Sequence, residues 1–454
     1  METHFPELID TQPELFAQHY AEAGLVDKSV AYWGKAGQRS AARSAMAEAA
    51  MQFQNALNQL ALLPETLDNR RQELQFCSAL GVALMATKGF AARETGDAYT
   101  RARELWEQIG SPVEFLQIPY GQSYHHQFRG ELDAAQRLSE DLLRLGVERN
   151  DTAGLVLGHL SCGRNLGTCG RFADSRAHFE KVLALYDPIS HHSLVRLAGM
   201  HPHVISQAYV AINQLCLGFP DQALERSSGA IAEARRLAHL PSLALSLAFG
   251  SRLLSLVGDD AALYERTEQL AAVTTEQGFP YWRAMGTIYQ GWVKVKNGDV
   301  IEGIAVIRGG LIAYRATGTV LLIAYYIDLL AKAYEIAGQT EEALTLLDEA
   351  LQIVERTGDR QFAAELKRHK GRLLLRQGYS EAAEELYRKA LSIAQEQEAK
   401  LWELRAAASL ARLRRDQGRR TEARDLLAPV YGWFTEGFDT PDLKEAKALL
   451  DELG

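Results

Sequence analysis

Histidines gather in one short segment of this chain and are its candidates for metal chemistry. They are His191, His192, His201 and His203, with His178 nearby in the sequence. Neutral imidazoles at short range bind zinc or nickel. Their spacing follows no known site, however, and no cysteine or carboxylate completes the set. The alternative is a polar, solvated loop whose imidazoles hydrogen-bond helix ends, and it predicts a protein without bound metal.

Motifs of catalysis are missing from the rest of the sequence. There is no GxxxxGK[ST] loop to cradle phosphates and no GxSxG nucleophile turn. Acid–base catalysis needs two carboxylates in one cleft, whereas the acids here fall mostly at predicted helix starts, where they cap and solubilise. We therefore predict that the chain is not an enzyme and takes no cofactor.

Regularly spaced glycines indicate where the helices that carry these residues begin and end. In the second half of the chain glycine recurs every 40 residues, at Gly218, Gly258, Gly298, Gly338, Gly378 and Gly418. A small residue stands seven positions before each, and alanine, leucine or glycine stands five positions after. A strict period of this size indicates a solenoid of helix pairs, in which the small residues let two helices approach closely.

One repeat shows the local pattern. Ala324–Ile336 is apolar at helical spacing, and Gly338 is the left-handed residue expected at a helix end. Thr340 is a good N-cap, and acids follow it in the first turn of a second helix, Glu341–Thr357. We predict positive φ at Gly338 and Gly378.

The fold class that follows is all-α, a right-handed α-solenoid of about eleven helix pairs without a sheet. The pairs make one superhelix over residues 1–440, and residues 441–454 form a C-terminal capping helix. Between Gly170 and Gly218 the step is 48 residues, so we expect an inserted loop at 187–203.

Composition narrows the class of partner. The formal net charge is -9, which argues against nucleic acid and anionic membranes as partners because both favour a basic face. The longest apolar runs, Leu240–Gly250 and Val320–Ile327, are shorter than a membrane span, and the first ten residues are no signal peptide. Four cysteines without CxxC spacing indicate reduced thiols in a cytoplasmic protein.

The repeat resembles the tetratricopeptide family. Aligning Ala423 with that family's alanine at position 20 places Leu410, Ala411, Leu427 and Val430 at its other marker positions. The departure is length, because these repeats have 40 residues where the family has 34.

A narrower resemblance covers most of the chain. Segments 83–89, 276–280 and 427–439 are similar to the C-terminal repeats of large bacterial signalling proteins with a STAND-type ATPase and a cyclase-like or DNA-binding domain. The opening segments 13–20 and 32–37 resemble the region just after that ATPase. The resemblance implies a sensor that restrains or releases the ATPase.

The tetratricopeptide resemblance also implies a binding site on the concave face of the first helices. Carried over, its groove positions are Tyr120, Tyr124, Tyr209, Phe249, Met285, Tyr289, Trp292 and Tyr325, followed by Arg368, His369, Arg372, Arg405, Arg412 and Arg415. An aromatic wall with a basic end suits an acidic peptide or anionic ligand. The alternative is that the aromatics fill a tightly wound interior and the arginines pair with neighbouring acids.

The resulting hypothesis is a non-catalytic sensor or interaction module that binds a peptide, a protein or a small-molecule inducer in its groove. It would regulate an attached or partner ATPase or cyclase. The alternative is a stand-alone protein–protein assembly scaffold that switches nothing.

Overall fold

The structure, a computed structural model, describes residues 11–112, 116–187, 189, 191, 194–195 and 198–454. In this part of the chain there are helices, turns and bends but no strand, so the fold is all-α. The helices of its first half are α1 (Pro13–Glu22), α2 (Val26–Ala42), α3 (Met46–Leu60), α4 (Leu67–Thr87), α5 (Arg93–Gln108), α6 (Gln117–Phe128), α7 (Leu132–Glu148), α8 (Thr152–Thr168), α9 (Phe172–Leu185), α10 (Pro202–Cys216) and α11 (Pro220–Arg236). Those of its second half are α12 (Leu240–Val257), α13 (Asp260–Gln277), α14 (Pro280–Lys296), α15 (Val300–Ala316), α16 (Ile323–Ile336), α17 (Thr340–Thr357), α18 (Ala363–Arg376), α19 (Ser380–Glu396), α20 (Lys400–Asp416), α21 (Arg420–Tyr431) and α22 (Pro441–Leu453).

These helices form antiparallel pairs that stack into a solenoid. Ten pairs run from α2–α3 to α20–α21, and single helices, α1 and α22, flank them. We call the even-numbered member of each pair its first helix. Helix α17 begins at Thr340 itself, with Gln339 as the N-cap, so Thr340 is not the capping residue that its type suggested.

Left-handed turn residues separate the helices at a regular interval. Gly338 and Gly378 have φ of 77° and 90°, which confirms the predicted positive φ. From residue 218 on, the turn between one pair and the next also has a left-handed residue, twenty positions after each of the first five glycines of the 40-residue series: Ala238, Gly278, Gly318, Gly358 and Glu398. The unit of the fold is therefore a 20-residue helix and turn, used twice in each repeat.

Small residues bring the two helices of a pair together, as the sequence predicted. A Cβ on Gly291 in α14 would lie 2.8 Å from the backbone oxygen of Gly303 in α15. A Cβ on Gly303 would in turn lie 2.7 Å from the oxygen of Gly291. Only glycine permits this approach of the two backbones.

The solenoid winds tightly enough for one superhelical turn to touch the next. The Val320 amide donates to the Phe128 oxygen at 2.9 Å, and the Arg360 amide donates to the Thr168 oxygen at 3.0 Å. A hydrophobic cluster continuous from Met46 to Trp402 fills the interior. Solenoid repeats ordinarily contact only their neighbours, so this winding gives the chain a shared core.

Two sequence expectations need correction here. Helix α12 is apolar over 18 residues, long enough by composition to cross a membrane, although the longest apolar runs looked shorter than that. Because 83% of this helix is buried inside the protein, it has the character of a core helix. The inserted segment also ends earlier than expected, since α10 already begins at Pro202 and includes His203.

Candidate ligand groove

The first helices of consecutive pairs line one cavity in the C-terminal half. Its volume is about 490 Å³, and it lies between α12, α14, α16, α18 and α20, with α22 at one end. The buried side chains of Trp292, Tyr325 and Leu329, which are 8%, 1% and 2% exposed, lie behind its wall, while Lys332 and Arg372 supply charge. The size is that of pockets which hold a small molecule or a short peptide segment.

In each repeat a glycine lies in the turn between the two helices of the pair. The side chains six positions before these glycines form a column along the inside of the superhelix, which we call the inner column. Its members, in chain order, are Tyr124, Arg164, Ile212, Arg252, Trp292, Lys332, Arg372 and Arg412. The column is closed at its N-terminal end, where Arg164 and Arg252 are buried. It opens toward the C-terminus, where the side chains of Lys332, Arg372 and Arg412 are 19%, 35% and 38% exposed.

Half of the predicted groove residues meet at the cavity. Those that line it are Trp292, Tyr325, Arg368, Arg372, Arg405 and Arg412, and Arg415 joins them. His369 is fully buried beneath this surface.

The other predicted residues lie inside the superhelix and do not line the cavity. Tyr120, Tyr124, Phe249, Met285 and Tyr289 are buried in the interior cluster. Tyr209, half-buried, stacks on Phe179 at a centroid distance of 4.8 Å. These six positions fill the core because the solenoid is wound too tightly to leave an open aromatic wall.

A buried network of charges supports the groove floor between α16 and α18. The Nδ1 of His369 lies 2.6 Å from Asp328 Oδ1, and its Nε2 lies 2.9 Å from Glu335 Oε2. Carboxylate oxygens only accept, so both hydrogen bonds form only when both ring nitrogens carry a proton. Arg376 reaches the other oxygen of Glu335 at 2.6 Å, and Arg372 also pairs with Glu335.

The surrounding cations keep these buried carboxylates ionised. Burial opposes ionisation of Asp328, but Lys332 and His369 outweigh it and lower the pKa of Asp328 to about 2. Glu335 is likewise penalised by burial, yet His369, Arg372 and Arg376 lower its pKa to about 2. Such carboxylates are ionised and are poor proton acceptors near neutral pH.

Helix α22 supplies acidic acceptors for the basic side chains of α20. Asp442 takes two hydrogen bonds from Arg405, at 2.9 and 2.8 Å. Glu445 pairs with Arg412 at 2.8 Å, and Glu452 pairs with Arg415 at 2.5 Å. An acidic helix face therefore lies against the basic face of α20.

The histidines predicted to sit in a solvated loop are packed more closely than expected. His191 and His201 are buried, and Tyr186 Oη lies 3.2 Å from His201 Nε2. His159 and His178 meet at their Nδ1 atoms, 3.0 Å apart. His192 lies outside the described residues, and among the described ones no group of three or more His, Cys, Asp or Glu side chains is arranged to hold a metal ion.

Comparison with known proteins agrees with the repeat. Residues 320–396, which span α16 to α19, match the tetratricopeptide repeat family. The chain folds as an α-solenoid that contains tetratricopeptide repeats over these residues. An uncharacterized protein of Rhizobium meliloti (strain 1021) is 26% identical over 402 residues, covering 87% of this chain and 39% of that protein. This chain thus spans about two fifths of the length of that relative.

Solved structures share the fold. A Rap protein complexed with competence and sporulation factor has a TM-score of 0.59 and 13% identity, covering 82% of this chain and 99% of that one. A STAND protein of Pyrococcus horikoshii with a tetratricopeptide repeat sensor gives a TM-score of 0.36 and 13% identity, over 89% of this chain and 66% of that one. The similarity to the Rap protein shows a common fold. The TM-score of the second comparison is too low to support an argument.

Sequence reasoning missed the acidic half of the site. Asp328, Glu335 and Glu365 stand on first helices, and each is buried against cations from the next first helix. Part of the signal was available, because Glu365 precedes Arg405 by the 40-residue period and the two side chains pair at 3.4 Å. Opposite charges at one position of successive repeats point to side chains in contact.

Proposed function

We propose that this solenoid is a non-catalytic sensor that binds an acidic segment of a peptide or protein in its groove. Binding there would regulate a signalling ATPase or cyclase, either attached to the solenoid or separate from it. The observation that carries the proposal is the charge of the groove. Seven basic side chains line the cavity against four acidic ones, and three further acids, Asp328, Glu335 and Glu452, pair with Lys332, Arg372 and Arg415 from outside the lining.

The spacing of the exposed cations suits an extended ligand. Lys332, Arg372 and Arg412 stand on successive first helices, and packed helices lie about 8–10 Å apart. A peptide that crosses the helices would meet one cation at every helix, with Trp292 at one end as an apolar anchor. Charge complementarity of this kind sets orientation and specificity.

The contacts of α22 support an acidic partner. Asp442, Glu445 and Glu452 already satisfy one side of Arg405, Arg412 and Arg415. A second acidic segment could lie beside α22 without a change in the kind of contact. The regulatory part of the proposal draws on the resemblance to signalling proteins and on the greater length of the Rhizobium meliloti relative.

A peptide array tests the binding. The full chain is applied to 12-residue peptides rich in Asp and Glu with one aromatic residue, and to matched peptides in which every acid is Lys. We expect binding of acidic peptides only, weakened at least tenfold by Arg372→Glu and by Arg412→Glu. Arg388→Glu on the outer helix α19, an exposed arginine outside the cavity, is the matched control and should leave binding unchanged.

Two results would overturn the proposal. One is acidic peptides that bind equally well to the groove variants and to the unmodified chain. The other is an array on which no acidic peptide binds.

A further inference from the structure

Helix α22 carries an acidic edge beside a buried apolar face. Successive residues of a helix are about 100° apart, so Asp442, Glu445 and Glu452 fall within about 80° of one another around its axis. The apolar face packs against side chains of α20 and α21, and its buried members are Leu443, Ala446, Leu449 and Leu453. Packing therefore holds the helix in place, while Asp442 and Glu445 on its acidic edge line the cavity.

The cations of the groove have two kinds of acidic partner, which differ in exposure. The carboxylates of the groove floor, Asp328, Glu335 and Glu365, have side chains that are only 2%, 7% and 3% exposed. The side chains of Glu445 and Glu452, in contrast, are 66% and 58% exposed. A buried carboxylate cannot leave its partners without a large cost, whereas an exposed one exchanges its partner for water at little cost. The floor pairs are therefore fixed, and the pairs made by Glu445 and Glu452 can be displaced.

The displaceable pairs lie where the inner column opens. Glu445 pairs with Arg412 at 2.8 Å and Glu452 pairs with Arg415 at 2.5 Å, and Arg415 also pairs with Asp416 at 3.0 Å. Both arginines line the cavity. An acidic segment that enters the groove at this end thus meets guanidinium groups that α22 already engages.

Asp442 has a different part in the same contact. Its side chain is 21% exposed, and it accepts two hydrogen bonds from Arg405, whose side chain is 14% exposed. This more buried pair fixes the first turn of α22 against α20. The helix therefore does not depend on Glu445 or Glu452 for its position.

We propose that α22 is an internal competitor for the groove, in which Glu445 and Glu452 hold Arg412 and Arg415 until an acidic ligand displaces them. The helix stays docked through its apolar face, and only the two glutamate side chains turn toward solvent. A ligand must then replace the carboxylates that it displaces, so the contact favours a segment with several acids over one with a single acid. This inference rests on the proposed function and adds a regulatory contact to the same site.

Binding of an acidic peptide to the full chain tests the competition. The probe is a fluorescein-labelled 12-residue peptide with four glutamates and one tryptophan, and its Kd is measured by fluorescence anisotropy. We expect Glu445→Gln/Glu452→Gln to bind the probe about fivefold more tightly than the unmodified chain, because two surface ion pairs no longer compete with it.

A matched control separates competition from a change in net charge. Asp451→Asn/Glu385→Gln also removes two negative charges, from exposed acids outside the cavity that pair with Lys447 and Lys389. This variant should bind the probe with the Kd of the unmodified chain. A gain equal to that of Glu445→Gln/Glu452→Gln would overturn the inference.

A mutant cycle locates the competition at the two arginines. In a chain that carries Arg412→Gln/Arg415→Gln, the substitutions Glu445→Gln/Glu452→Gln should no longer tighten binding, because the cations for which the acids compete are gone. Glu445→Gln alone, in the chain with both arginines, should give a smaller gain of the same sign.

Two further results have distinct meanings. Equal Kd values for the unmodified chain and Glu445→Gln/Glu452→Gln, both folded by their Tm, would overturn the inference and leave the proposed function standing, with α22 only a cap. Binding of the probe to neither protein would overturn the proposed function and this inference with it.

Discussion

At the scale of single residues, His369 shows how the groove floor depends on a buried cation. It is fully buried between the carboxylates of Asp328 and Glu335. Removing one partner of a buried ion pair costs about 3–5 kcal/mol because the other charge stays behind. We expect His369→Leu to lower the free energy of unfolding by about 3 kcal/mol, measured by urea denaturation. His126→Leu, which removes a partly exposed histidine paired with Glu131, should cost less than about 1 kcal/mol. Equal effects of the two variants would contradict this account.

Other histidines make stability depend on pH. Burial, reinforced by neighbouring histidines, lowers the pKa of His159, His201 and His239 from the ordinary 6.5 to about 4. In the unfolded chain these groups take up protons below about pH 6.5, whereas the folded chain resists until about pH 4, so stability falls as pH falls between these values. We expect Tm to decrease steadily from pH 7 to pH 4.5, and His239→Asn to flatten the decrease. Asp328 and Glu335, with pKa lowered to about 2, lose their contribution only below about pH 4.5. A constant Tm over this range would show that the histidines are not buried as described.

At the scale of the helix and turn, the sequence predicted the repeat well but did not reveal every left-handed turn between pairs. Glycine at 40-residue steps marks the turn inside each pair, because glycine takes positive φ without strain. The turn between pairs uses the same backbone conformation at Ala238 and Glu398, with φ of 48° and 53°. Neither residue type signals it. The conformation there is imposed by the helices on both sides, which end and begin at positions fixed by their own packing.

This forced conformation gives a test of the 20-residue unit. A non-glycine residue in the left-handed region costs about 1–2 kcal/mol, part of which glycine returns through its greater freedom in the unfolded chain. Glu398 is exposed and has positive φ, so Glu398→Gly should stabilise the protein by about 0.5–1 kcal/mol in urea denaturation. Glu385→Gly, also exposed but inside α19, should destabilise it by about 1 kcal/mol. Destabilisation by Glu398→Gly would mean that this turn does not hold the left-handed conformation.

At the scale of the whole molecule, the winding of the superhelix decided which of the predicted site residues line the cavity. Tyr289 and Trp292 stand three positions apart on α14, and both were predicted to face the groove. Tyr289 is buried in the core, whereas Trp292 lines the cavity. The two positions differ by about 60° around the axis of α14, so the way neighbouring pairs wind over this helix decides which of the two is covered. A pattern read within one repeat carries no information about that winding, so the sequence could place the first helices on one face but not predict where the groove closes.

The winding also brings two distant parts of the chain into a contact that no single repeat would make. Helix α11 has Phe219 as its N-cap, which offers no side-chain acceptor. Instead Glu436, which follows α21, accepts hydrogen bonds from the amides of Asp221 and Gln222 at 3.0 and 3.1 Å. The Gly437 amide donates to Asp221 in return, at 3.0 Å. A residue near the end of the chain thus caps a helix in its middle.

If this contact closes the superhelix, its loss should be felt far away in sequence. A helix N-cap contributes about 0.5–2 kcal/mol, and 1.4 kcal/mol corresponds to a tenfold change in an opening equilibrium. We expect Glu436→Ala to speed hydrogen exchange of the amides at Asp221 and Gln222 by about tenfold, measured by mass spectrometry on the full chain. Glu422→Ala removes an exposed glutamate whose partner is Arg419 on the adjoining turn, so it should leave the exchange of α11 unchanged. If both variants left α11 unaffected, this contact would not couple the two superhelical turns. A change at one pair would then pass only to the neighbouring pair. If only Glu436→Ala acts, the C-terminal segment is coupled directly to the middle of the chain.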